Sequence, residues 1–154
     1  MIQTRLAQIS DAQELKELND LVNGDGGNTV EAIKKSLEIN NQEIICVAIE
    51  INDDSNKLIG FCSGQIIKSA CYSIYYGDII EFFIIEEYRC ADICKQLISQ
   101  MEMEFDKRGI NHLHHFTGKE NSAMQELFHS LGYVDTSASC YNSSSITIFS
   151  KDTK

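Results

Sequence analysis

Glu81 stands in an otherwise apolar run, Ile79-Ile80-Glu81-Phe82-Phe83-Ile84-Ile85, where a single carboxylate is a candidate proton acceptor. The run passes into a short charged turn, Glu86-Glu87-Tyr88-Arg89. Beyond the turn, Cys90, Ile93/Cys94, Leu97, Met101 and Phe105 recur three and four residues apart until Gly109, which is a helix and its stop. Strand, turn and helix start make a corner whose free backbone N–H groups and positive dipole end attract an anion. An anion seat beside a proton acceptor is the chemistry these residue types allow.

Other residues invite chemistry less strongly. His112 and His114 fall on one strand face beside His115, but no matching carboxylate or cysteine cluster follows them, so no metal site is assigned. The six cysteines, Cys46, Cys62, Cys71, Cys90, Cys94 and Cys140, lie mostly in apolar runs and read as reduced core thiols. Tyr72, Tyr75 and Tyr76 offer aromatic faces, either to a cationic acceptor or to ordinary strand packing. The loop Asn23-Gly24-Asp25-Gly26-Gly27-Asn28 lacks a Gly-Lys-Ser/Thr ending, so it is a turn and not a phosphate loop.

The elements that must carry the corner follow from periodicity. Residues 2 to 9 are β-prone, and Ser10 with Gln13 forms a capping box for a helix to about Asn23. Asn28 with Glu31 repeats that spacing before a second amphipathic helix ending near Asn40-Asn41. Three strands are expected at Glu43 to Ile51, Lys57 to Ile67 and Tyr75 to Ile85, joined by links short enough for antiparallel hairpins. The long helix then separates the third strand from a strand at 111 to 117, which predicts a parallel crossover. Asn121 caps a further helix closed by Gly132, and Tyr133 to Ala138 and Tyr141 to Phe149 read as final strands. The expected fold is a single α+β domain over residues 1–154, a mixed, mostly antiparallel sheet with one parallel junction, flanked by about four helices. At such a junction the twisting strands diverge and open a crevice at their C-terminal ends.

The chain has 154 residues and a formal charge of −10, which argues against nucleic acid and suits an amine-bearing partner. No apolar stretch is long enough to span a bilayer, and the N-terminus MIQTRLAQIS lacks a signal peptide's apolar centre, so a cytoplasmic protein is expected.

The succession Glu81-Phe82-Phe83-Ile84, then Glu87-Tyr88-Arg89, a long amphipathic helix, Lys107-Arg108-Gly109, and Asn121-Ser122-Ala123 with Leu131-Gly132-Tyr133 resembles the GNAT superfamily of acyl-CoA-dependent N-acetyltransferases. The likeness covers nearly the whole chain, and its specific part spans residues 77 to 134. It implies acetyl-CoA as cosubstrate and a small-molecule amine as acceptor. It also implies that backbone at Phe83, Ile84 and Ile85 holds the pantetheine arm, that Arg89, Cys90, Ala91, Asp92, Ile93 and Cys94 take the pyrophosphate, and that Asn121 lies near the thioester. Glu81 would be the base, directly or through water.

Two departures stand out. The two glycines of the family's turn fall on Asp92 and Cys94, and a carboxylate roughly 5 Å from a phosphate costs on the order of 3 kcal/mol, so Asp92→Gly is expected to tighten binding. The family's acid tyrosine falls on Phe128, which has no proton to give. Two readings follow: an N-acetyltransferase working by direct attack of the amine, or a catalytically weak or inactive binding or regulatory module on the same fold. A homodimer through the C-terminal strands is compatible with the second.

Overall fold

The computed structural model describes residues 1–39, 42–53, 55–68, 70–71, 73–137 and 146–153. In chain order the elements are β1 (Ile2–Leu6), α1 (Ala12–Asn23), α2 (Val30–Ile39), β2 (Glu43–Ile51), β3 (Asn56–Ile67), β4 (Tyr76–Ile84), α3 (Ala91–Lys107), β5 (His112–Gly118), α4 (Ser122–Ser130), β6 (Val134–Asp135) and β7 (Ile146–Asp152). The strands form one sheet in the order β1-β2-β3-β4-β5-β7-β6. Every neighbouring pair is antiparallel except β4 with β5, the junction expected from the intervening helix. Among the described residues no helix is long and apolar enough to cross a membrane.

The first two helices start at caps other than those expected. Arg5 grips Asp11 through two nitrogens, at 2.6 and 2.9 Å, and Asp11 accepts the Gln8 N–H at 2.7 Å. That fixed carboxylate closes a capping box at Gln8 and Asp11, in place of Ser10 and Gln13, on a short 3-10 turn over Ile9–Asp11, and α1 follows directly from Ala12. At α2 the Thr29 hydroxyl accepts the Ala32 N–H at 3.2 Å, so Thr29 and not Asn28 is the cap. At α4 the Asn121 side chain accepts the Met124 N–H at 3.2 Å, as the sequence requires.

The core has two parts, one on each face of the sheet. On one face α3 and α4 bury Leu97, Ile98, Met101, Phe105 and Phe128 against Cys62, Ile79, Ile84 and Leu113. On the other, α1 and α2 cover Val47, Ile49, Leu58 and Phe61. The position of α3 is set by Phe105, whose ring fills a slot between two glycines. A Cβ on Gly64 would lie 2.7 Å from that ring, and one on Gly77 only 2.6 Å away. Past Lys107 the chain leaves the helix through Gly109 at φ +74°, a conformation that glycine adopts without strain.

On the α1/α2 face the sheet is left partly bare beyond β3, where Ile80 is 49% and Phe116 48% exposed. At the C-terminal end β6 is only two residues long, shorter than the expected Tyr133 to Ala138, and β7 starts at Ile146 and continues to Asp152. The expected strand start at Tyr141, together with Cys140 and Tyr72, lies outside the described residues.

Candidate functional site

The parallel ladder between β4 and β5 runs for four residue pairs and ends at Ile79 opposite His115. At the same place β4 gains a residue. Ser63 of β3 faces Glu81 and the adjacent Gly64 faces Ile79, so Ile80 is a bulge with no partner. A bulge bends its strand and increases twist, so β4 turns away from β5 where their pairing stops. His115 closes the ladder, its Nδ1 lying 3.0 Å from the Ile79 carbonyl while its ring stacks on Phe128 at 4.0 Å. Burial holds the His115 imidazole below its ordinary pKa, against the pull of the Ile79 carbonyl and Asp78.

Beyond the bulge, β4 presents one backbone edge to β3 and the other to the gap. The Ile85 N–H bonds the Ile59 carbonyl at 2.9 Å, so Ile85 and, two residues back, Phe83 turn their backbone groups toward β3. The alternate residues, Phe82 and Ile84, therefore point N–H and C=O into the gap. Ile84 is 1% exposed, so its contribution to the gap is backbone.

The gap opens into a cleft of about 760 Å³. Phe82, Phe83 and Ile84 form its floor; Arg89, Cys90, Ala91, Cys94 and Lys95 form one wall; Asn121, Met124, Glu126 and Leu127 stand on the wall supplied by α4. The first bond within α3 joins the Cys94 N–H to the Cys90 carbonyl, and the Cys90 side chain caps nothing. The N–H groups of Ala91, Asp92 and Ile93 thus have no intrahelical acceptor, and the dipole end adds partial positive charge. Arg89 and Lys95 add full charges. In a chain of formal charge −10, neither has an acidic partner among the described residues, whereas Arg5, Lys16, Lys107, Arg108 and Lys151 are each paired with Asp or Glu. The mouth brings two cations to one side of the cleft, with Glu126 of α4 on the facing wall, and an apolar floor leads inward from it.

Of the residues singled out from sequence, Phe83, Ile84, Arg89, Cys90, Ala91, Cys94 and Asn121 meet at this cleft. Five do not line it. Ile85 packs with the α1/α2 core, Ile93 with the α3 core, and Asp92 is exposed in the first turn of α3. Phe128 is fully buried, between His115 and the edge of Tyr133. Glu81 is on the opposite, uncovered face of β4, with Ser63 Oγ 3.5 Å from its carboxylate. Sequence reasoning missed Lys95, although it stands four residues after Ala91 and hence on the same helix face.

The remaining candidates disperse. His112 pairs with Asp152 at 2.6 Å, His114 lies 3.6 Å from Asp78, and His115 faces the core. Among the described residues no cluster of three or more metal-ligating side chains occurs. Cys46 and Cys62 are buried core thiols, with Cys46 pushed up to about 12 by burial, but Cys71 and Cys90 are exposed, contrary to the expectation of core placement. Cys90 is exposed because the helix N-cap faces the cleft. Tyr75 is also exposed, with Lys68 over its ring, and Tyr76 packs on His114.

The fold recurs in known proteins. The fold is similar to that of a GNAT acetyltransferase from Streptococcus pneumoniae, with 19% identity over 99% of each chain and a TM-score of 0.78. It is also similar to Arabidopsis thaliana NAA60 in complex with acetyl-CoA, with 15% identity over 99% of this chain and 98% of that one and a TM-score of 0.73. An aminoglycoside acetyltransferase, meta-AAC0020 from an uncultured soil metagenomic sample, in complex with sisomicin, matches at 14% identity over 84% of this chain and 86% of that one, with a TM-score of 0.69. No curated protein matches the sequence. The family model for the acetyltransferase (GNAT) family matches residues 13–133. The chain belongs to the GNAT family of acetyltransferases.

Proposed function

We propose that the protein transfers an acetyl group from acetyl-CoA to a small-molecule amine by direct attack of the amine on the thioester. The observation that carries this reading is the gap at Ile80, where a β4 edge without a strand partner meets an uncapped helix end and two cations without acidic partners among the described residues. Acetyl-CoA has the matching parts in the matching order. Its pyrophosphate suits the N–H groups of Ala91, Asp92 and Ile93 with Arg89 and Lys95 beside them. Its pantetheine amides suit the free edge of Phe82 and Ile84, as one strand suits another. NAA60 in complex with acetyl-CoA shares the fold, which supports the same cosubstrate here.

In this reading the Phe82 N–H, which points into the gap, polarises the thioester carbonyl. Glu81 takes the proton of the attacking amine, directly or through a water, because an amine near pKa 10 is almost wholly protonated at neutral pH. The acceptor approaches over the bare face at Ile80 and Phe116, whose apolar surface suits an alkyl or ring body behind the amine. Phe128 supplies no acid, and the thiolate leaves unassisted, which a thiol tolerates better than an alcohol does.

A second reading keeps the fold and the cosubstrate but not turnover, and the buried Phe128 favours it. One experiment separates the two. Acetyl-CoA at 100 times its dissociation constant should stabilise the protein by about 2.7 kcal/mol, and a panel of small amines should then release free CoA. Stabilisation without release from any amine selects the binding module. No stabilisation at millimolar acetyl-CoA removes both.

A further inference from the structure

We propose that Arg89 makes phosphate recognition a condition for seating the pantetheine arm, and thereby selects CoA thioesters over thioesters that lack the pyrophosphate. The inference rests on the acetyl-CoA reading above and assigns Arg89 a role in specificity. Arg89 Nε donates to the Ile84 carbonyl at 3.0 Å, and its guanidinium carbon lies 5.9 Å from the centre of the Phe83 ring. That carbonyl is one of the groups β4 turns into the gap. The arm and Arg89 therefore need the same acceptor, and the guanidinium fills part of the floor along which the arm would run.

A hydrogen bond from a charged donor is about twice as strong as one from a neutral amide. An arm offering only amides competes poorly for the Ile84 carbonyl. A pyrophosphate changes the balance, because it gives Arg89 an anion two residues from the start of α3, and guanidinium binds phosphate in a paired geometry. No carboxylate among the described residues holds Arg89 elsewhere, so only the bond to the Ile84 carbonyl and the contact with the Phe83 ring oppose that move. Phosphate binding then frees the carbonyl that the arm requires. Lys95 lines the same mouth but makes no hydrogen bond to the described β4 residues, so it contributes charge without competing for the Ile84 carbonyl.

The two roles have opposite signs in one variant. Arg89 is exposed and its removal leaves the core intact. In calorimetric titrations, Arg89→Met should bind CoA about tenfold more weakly than the wild type and pantetheine about fivefold more tightly, the scale of a lost charge-assisted bond and a relieved competition. Arg89→Lys keeps the charge without the Nε contact, so it should tighten pantetheine while weakening CoA less. Lys95→Met should weaken CoA and leave pantetheine at the wild-type value. If pantetheine affinity is unchanged, lower or undetectable in Arg89→Met while the wild type binds CoA, the gating role is overturned and the acetyl-CoA reading survives. If the wild type binds neither CoA nor acetyl-CoA, that reading falls and the inference falls with it.

Discussion

Glu81 and Asp92 are both exposed acids near one corner, yet the structure gives them different expected effects. Glu81 flanks the bulge where the strands part, so its removal should strike the chemical step. For Glu81→Gln the expected outcome is a fall in kcat of about a hundredfold or more, the usual worth of a positioned base, with CoA affinity unchanged. An unchanged kcat in Glu81→Gln would exclude Glu81 as the base. Asp92 stands at the second position of α3 and does not line the cleft, so the repulsion that its sequence position suggests is weakened by distance and water. Its carboxylate complements the helix dipole instead, and glycine there loses that contribution as well as helix propensity. Asp92→Gly should therefore lower stability by about 1 kcal/mol and leave CoA affinity within about threefold, which denaturant unfolding and CoA titration measure together. A gain of tenfold or more in CoA affinity would mean that the carboxylate does face the phosphates. No sequence pattern separates these two acids, because which way a first-turn side chain points depends on how the helix docks.

Helix α3 begins at the mouth of the cleft, and Phe105 near its far end decides where that helix start lies. The ring is fully buried in the slot between Gly64 and Gly77, so Phe105→Ala should cost about 3 to 5 kcal/mol in unfolding free energy. A smaller loss would show that the slot collapses around alanine, and α3 would then be seated by its other contacts. The parallel junction was legible in the sequence, because a helix of several turns between two strands leaves few other topologies. The bulge at Ile80 was not. A two-residue period carries no mark of one extra residue when that residue and the one before it are both isoleucine, and the bulge shows only when Ser63 and Gly64 are set against β4. Helix caps were legible at Asn121, where only a local bond is involved, and displaced at Asp11, where Arg5 on another element fixes the carboxylate. Phe128 was legible as the absence of an acid but not as a stacking partner of His115, since that contact joins α4 to β5.

Across the molecule three buried titratable groups among the described residues, Asp11, Glu104 and His115, point toward loss of stability in acid. Burial pushes the Asp11 carboxyl up, but Arg5 and the Gln8 N–H more than offset it and leave it below its ordinary range. Burial acts likewise on Glu104, and Lys107 with Arg108 bring it below its ordinary range too. For these two the folded state binds protons less readily than the unfolded chain, so their contribution is present above the usual carboxylate pKa of about 4 and lost as pH falls below it. His115 extends the effect to milder acid. Its folded pKa lies below the unfolded value of about 6.5, so the unfolded chain takes up a proton that the folded chain refuses. Its contribution is complete above about pH 6.5 and falls as pH drops toward the folded pKa. Thermal unfolding should therefore show a melting temperature that is level from pH 7 to pH 8 and declines from pH 6.5 to pH 5. His115→Gln should remove most of that decline, because glutamine can still donate to the Ile79 carbonyl but does not titrate. A decline of equal size in the variant would assign it to other groups. Since His115 closes the β4–β5 ladder at the point where the cleft begins, the same pH range should also weaken CoA binding in the wild type, and should do so less in His115→Gln.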